Sequence, residues 1–220
     1  MRPVLYSGNQ NYSSWSMRPW LALTWAHLDF ELRVIPLGGP GYTKRQVKDV
    51  LAVSPSGTVP ALHVDGDVIT DSLSICEWAA ERVPTLWPAD RAARALARSA
   101  ACEMHSGFSS IRSELPCNIR RRTEPRTLSE DARREVARVE AIWSSLKTRF
   151  GDGGPYLFGA NPTIVDAFFT PVATRFRTYG VSLGAPSRAY ADALLENAAF
   201  REWEEAAKRE PWIMPLWDSA

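Results

Sequence analysis

The chain has 220 residues, 45% of them apolar, with 26 Lys and Arg against 25 Asp and Glu for a formal net charge of +1. That length can hold one large domain or two modest ones with a sizeable core. The balanced charge speaks against nucleic acid or a broad anionic membrane surface as the partner. Cys76, Cys102 and Cys117 form no Cys-x-x-Cys pair and fit neither a zinc site nor a disulfide framework. They read as reduced thiols of a cytoplasmic protein. No apolar run reaches the length of a membrane span, and the first residues are too poor in apolar side chains for a signal peptide.

Residues 3–7 read as a buried strand, and Trp15 to Ala26 as a helix with Trp15, Pro19, Leu23 and Ala26 on one face. Trp15, Trp20 and Trp25 recur every five residues, which spreads them around that helix. Phe30 to Pro36 alternates as a strand, and Thr43 to Val53 is helical. Residues 60–64 and 67–70 form a hairpin over Asp65-Gly66, a strong two-residue turn signal. Ser72 to Val83 is a helix bearing Ile75, Cys76, Trp78 and Ala79. The order βαβ, α, ββ, α is a thioredoxin-like arrangement. Pro84 to Asp90 is a two-proline linker, after which the chain is almost wholly helical.

Ala92, Leu96, Ala100, Met104, Ile111 and Leu115 mark one long helix, followed by a charged break at 120–128. Ser129 caps the next helix, with Glu130 and Asp131 placed for its dipole. Thr163 and Asp166 make a capping box in its Asp form and are assigned to folding. Phe200 and Trp203 belong to the last helix. The tail from Pro211 to Trp217 is too apolar to dangle and is expected to pack back on the body. The reading is an α+β protein: residues 1–83 a thioredoxin-like domain, 84–90 a linker, 91–220 an all-helical domain.

Ser56-Gly57-Thr58-Val59-Pro60-Ala61-Leu62 reads as a loop entering a strand, at a Val-Pro bond where a cis peptide is tolerated. Such a turn leaves the Val59 N–H and C=O free to pair with an extended peptide. Asp71-Ser72 at a helix start offers carboxylate, hydroxyl and free N–H groups to a charged ligand end. Together they suggest a site for a short peptide.

These segments resemble the glutathione-binding half of cytosolic glutathione transferases. Tyr12-Ser13-Ser14-Trp15-Ser16-Met17-Arg18-Pro19-Trp20 is similar to the first-helix signature of a serine-type bacterial branch, distantly similar to the zeta class. The resemblance implies glutathione as co-substrate with no metal. It also implies a homodimer, and a detoxification-type transfer of the thiolate to a small electrophile. Val59 with Pro60 would pair with the cysteinyl part, Asp71 and Ser72 would hold the γ-glutamyl end, and Lys44 could meet the glycyl carboxylate. A thiol with pKa of roughly 8.5 needs a hydroxyl and a helix N-terminus to become a thiolate. Ser14 and Ser13 stand level for that role. Asn11, which an ungapped overlay sets at the zeta serine position, and Tyr12 come behind.

The second substrate is expected against the helix beginning near Asp90. His105, Phe108 and Arg112 fall at spacings of three and four, so one helix face can hold them. Asn118 and Arg120 are further cleft candidates, and Arg112 and Arg120 would attract an anion. Arg18 is expected to pair with a carboxylate, and Cys76 to be buried packing. Two rival readings stand beside the transferase. One is a zeta-like glutathione-dependent cis–trans isomerase of a dicarboxylic intermediate. The other is a non-catalytic binding module on the same fold.

Overall fold

The computed structural model describes residues 2–38 and 44–218. Strand β1 (Val4–Gly8) pairs in parallel with β2 (Glu31–Ile35), Leu5 opposite Leu32. Helix α1 (Ser14–Trp25) makes the crossover between them. On its other edge β1 pairs antiparallel with β3 (Ala61–Val64), which turns into β4 (Asp67–Thr70), giving the order β2-β1-β3-β4. Asp65 and Gly66 both carry positive φ, 51° and 93°, as the right-handed twist of a tight hairpin requires. Helix α3 (Ser72–Arg82) covers the sheet beside α1. Between β2 and β3 the described helix is short, α2 (Lys48–Leu51), rather than the span expected from 43 to 53. The start of that expectation, Thr43, lies outside the described residues.

A 3₁₀ turn at Pro84–Leu86 leads to the helical half. There α4 (Arg91–Ser106), α5 (Ser109–Glu114), α6 (Glu130–Phe150), α7 (Ile164–Thr178), α8 (Ala185–Glu196) and α9 (Ala198–Arg209) precede a last short α10 (Pro215–Asp218). This is a thioredoxin-like N-terminal half followed by an all-α half. Helix α7 is the hub, with Phe168, Phe169 and Phe176 buried in one core against α1, α4 and α8. The Asp166 carboxylate accepts from the Thr163 N–H at 2.7 Å, the Thr163 hydroxyl at 2.9 Å and the Tyr190 hydroxyl at 2.7 Å. That buried acceptor fixes both the start of α7 and its seat against α8. Ser129 caps α6 as expected, its Oγ accepting from the Ala132 N–H at 3.1 Å.

The single helix expected from Ala92 to Leu115 is broken. Helix α4 ends at Ser106, and Phe108 takes a left-handed conformation with φ 60°. A Cβ on Gly107 would lie 2.9 Å from the Glu103 carbonyl oxygen, so glycine permits the break. The buried Phe108 ring offsets the roughly 1 kcal/mol that αL costs a non-glycine residue. Arg112 then folds back, its Nε donating to the Gly107 carbonyl at 3.0 Å and its Nη2 to that of Met104. His105, Phe108 and Arg112 therefore do not share one continuous helix face.

Candidate active site

A cavity of about 600 Å³ opens between the N-terminus of α1, the loop entering β3, the start of α3 and the C-terminal segment. That volume suits a ligand of a few residues. The Val59–Pro60 bond at its wall is cis. The β3–β4 ladder begins at Ala61 opposite Thr70, so Val59 stands just outside it. Gly57, with φ 66°, lets this loop pass the Arg45 carbonyl, which a Cβ would meet at 2.5 Å. Ser54, Ser56 and Thr58 tie the loop together through hydroxyl contacts of 3.0 and 2.7 Å.

Asp71 and Ser72 also line the cavity. Asp71 adopts φ 88° and caps α3, its Oδ1 accepting from the Leu73 N–H at 2.7 Å. Its other oxygen lies 3.2 Å from His105 Nε2, which links the cavity to α4. The Ser72 hydroxyl is buried with no hydrogen-bond partner among the described residues. A buried hydroxyl left unpaired is costly, and a ligand that completes it recovers that cost. Lys44 is exposed and outside the cavity wall, while Arg45 is part of it.

The structure separates the first-helix candidates. Ser13 is the N-cap of α1 and lines the cavity. Its hydroxyl donates to Ser16 Oγ at 2.8 Å and accepts the Ser16 N–H at 3.3 Å. Ser14 points toward α7, where its hydroxyl accepts from Arg175 Nη2 at 3.3 Å. Asn11 is spent on the helical half: its Nδ2 donates to Asn118 Oδ1 at 2.9 Å, and its Oδ1 accepts the Arg120 N–H at 2.8 Å. Tyr12 lines the cavity with its ring, but its hydroxyl donates to Asp218 at 2.6 Å and accepts from Arg120 at 3.1 Å. Asn118 and Arg120 thus hold the turn before α1 and the tail.

Contrary to expectation, Arg18 makes no ion pair with a carboxylate among the described residues, and Asp71 acts on it only at longer range. It is fully buried, and none of its guanidinium nitrogens has a hydrogen-bond partner among the described residues. The guanidinium carbon sits 4.3 Å from the Trp15 ring centre and 4.6 Å from that of Phe168. Burial lowers its pKa first, and the like charges of Arg112 and Arg175 lower it further. Burial likewise brings Arg112 down to about 10 and lowers Arg175. His105, beside Trp15 and Phe168, is lowered by burial despite Asp71. The buried Arg18 and the half-buried Arg112 guanidiniums lie against the ring of Trp15, itself a wall of the cavity, with the charge of Arg175 acting on both.

Cys76 is buried packing, its thiol pushed up by desolvation. Among the described residues no group of three or more His, Cys, Asp or Glu could hold a metal ion. No helix among them is long and apolar enough to cross a membrane.

Residues 12–82 match the N-terminal domain of glutathione S-transferases, and 129–209 match their C-terminal domain. A probable maleylacetoacetate isomerase of Caenorhabditis elegans is 30% identical over 181 residues, covering 80% of each chain. The maleylacetoacetate isomerase of Pseudomonas aeruginosa is 29% identical over 204 residues, 90% of this chain and 93% of its own. Among solved structures, the maleylacetoacetate isomerase of Anaeromyxobacter dehalogenans with bound glutathione superposes with TM-score 0.65. It is 25% identical, covering 96% of this chain and 97% of that one. A Burkholderia glutathione transferase homolog with bound glutathione gives TM-score 0.71 at 23% identity, over 96% and 100% of the two chains. The thioredoxin-like half and the helical half are the two domains of an enzyme family, and this chain belongs to it: the glutathione S-transferases.

Proposed function

We propose that the protein binds glutathione in this cavity and uses its thiolate to attack an electrophilic carbon, as a glutathione transferase. The observation that carries the proposal is the convergence on one cavity of Val59, whose backbone stands just outside the β3–β4 ladder, a carboxylate at Asp71 and an unsatisfied buried hydroxyl at Ser72. Val59 would pair with the cysteinyl residue. Asp71 would accept from the γ-glutamyl ammonium, and Ser72 would donate to its carboxylate. Ser13, on the cavity side of the α1 N-terminus, would turn its one hydroxyl proton from Ser16 Oγ to the sulfur. The thiol proton leaves to solvent, the sulfur forms a bond to carbon, and the electron pair moves to a leaving group or an adjacent carbonyl. Positioning and anion stabilisation supply most of the rate.

A second reading is favoured by the Arg18, Arg112 and Arg175 set, three positive charges that Asp71 and Glu135 offset only in part and leave short of balance. An acidic cis-alkene conjugated to a carbonyl would bring that balance. Thiolate addition would make the double bond single, rotation would follow, and loss of the thiolate would restore a trans-alkene. The names of the relatives are in keeping with this glutathione-dependent isomerisation. Incubation with glutathione and an acidic cis-enone, followed by NMR, distinguishes the two. A stable thioether means transfer, and trans-alkene with glutathione regained means isomerisation. Failure to bind glutathione at millimolar concentration would remove both.

A further inference from the structure

The turn that delivers Ser13 to the cavity has its polar groups satisfied largely from outside its own half. Glu210, just past α9, is buried and spends both carboxylate oxygens on this turn: Oε1 accepts the Gln10 N–H at 2.6 Å and Oε2 the Asn11 N–H at 3.1 Å. The Gln10 carbonyl accepts from Trp203 Nε1 at 2.9 Å. The Asn11 carbonyl accepts the Ile119 N–H at 3.2 Å. Arg120 Nη1 holds the Glu210 carbonyl at 2.7 Å, closing the arrangement. From Asn9, whose carbonyl accepts the Ser13 N–H at 2.8 Å, the turn runs straight into the cap of α1.

We propose that Glu210 is a positioning residue for thiol activation: its carboxylate, supplied by the helical half, fixes the Gln10–Asn11 turn and through it the place of Ser13 and the α1 N-terminus. A buried carboxylate bonded to neighbouring N–H groups is a stiff clamp, because each bond is charge-assisted and no water competes. Val59, Asp71 and Ser72 lie on other segments, so the clamp bears on the sulfur and not on the rest of the tripeptide. This rests on the proposed glutathione chemistry.

The test is Glu210→Gln, which keeps size but offers one acceptor and an amide NH₂ where two acceptors stood. Expected are unchanged affinity for S-methylglutathione, which has no thiol, and a midpoint of thiolate formation in bound glutathione raised by about 0.5 to 1 pH unit. The Gln10 and Asn11 amides should exchange with deuterium about tenfold faster than in the parent protein. Trp203→Phe, which removes the donor to Gln10, should move the midpoint the same way and serves if Glu210→Gln does not fold. An unchanged midpoint in a folded variant overturns the proposal, as does equal loss of S-methylglutathione binding, the mark of a merely structural role. If the parent protein binds no glutathione, the function fails instead. The exchange rates still judge the clamp: unchanged protection of Gln10 and Asn11 overturns it.

Discussion

Asp71→Asn separates the cap that this side chain makes from the ligand contact proposed for it. Asp71 caps α3 through the 2.7 Å bond to the Leu73 N–H, and it sits at φ 88°. Asparagine caps as well as aspartate and tolerates positive φ, so the fold should lose little. What disappears is the negative charge proposed to meet the γ-glutamyl ammonium. A hydrogen bond to a charged group contributes about 1.5–3 kcal/mol. The Asp71 side chain is 47% exposed, so solvent screening sets the lower end. Glutathione affinity should then fall about tenfold, or roughly 1.4 kcal/mol. Asp71→Ala would add the loss of a cap, about 1 kcal/mol of stability. Calorimetry with glutathione and with cysteinylglycine, which lacks the γ-glutamyl group, reads the effect. Undiminished glutathione binding, or an equal loss for cysteinylglycine, would refute the assignment of Asp71 to the γ-glutamyl end.

Ser13→Ala should raise the thiolate midpoint of bound glutathione by about one pH unit, while Ser14→Ala, which faces Arg175, should leave it in place; a titration of each complex checks this. Asp166→Ala strands the donors of Thr163, Leu157 and Tyr190 in the core and should cost about 4 kcal/mol or more by denaturant unfolding. Burial depresses His105 in the folded state, so the unfolded chain binds its proton first as pH falls below about 6.5. Stability contributed at that position is therefore lost on acidification through the window from 6.5 down to the folded value. His105→Gln should flatten that part of the difference between stability curves measured at pH 7 and pH 5.

The parts of the fold set by local chemistry were legible in the sequence. Asp65-Gly66 needs only a turn with positive φ, and Thr163 with Asp166 needs only its own first turn. Val59-Pro60 and Asp71-Ser72 were legible for the same reason, since each feature is made by neighbours in the chain. Long-range packing was not. The Gly107–Phe108 break is concealed by apolar spacing that runs smoothly from Ala92 to Leu115. What decides it is the burial of Phe108 and the return of Arg112 onto Met104 and Gly107. Ser13 and Ser14 are equivalent as residue types, and only the seat of α7 turns Ser14 toward Arg175. Arg18 looked like half of an ion pair because a buried arginine commonly has a carboxylate. Here aromatic faces take that place. Glu210 carried no local signal, because its partners Gln10 and Asn11 lie at the other end of the chain.

The most direct measurement is ultraviolet thiolate absorbance of glutathione on the protein across pH, with S-methylglutathione as the blank. The thiolate should form at least one pH unit below the roughly 8.5 of a free thiol, since a hydroxyl donor and a helix N-terminus act together on the sulfur. Saturable binding with the thiol titrating as it does in water would contradict thiolate activation at Ser13 and the start of α1.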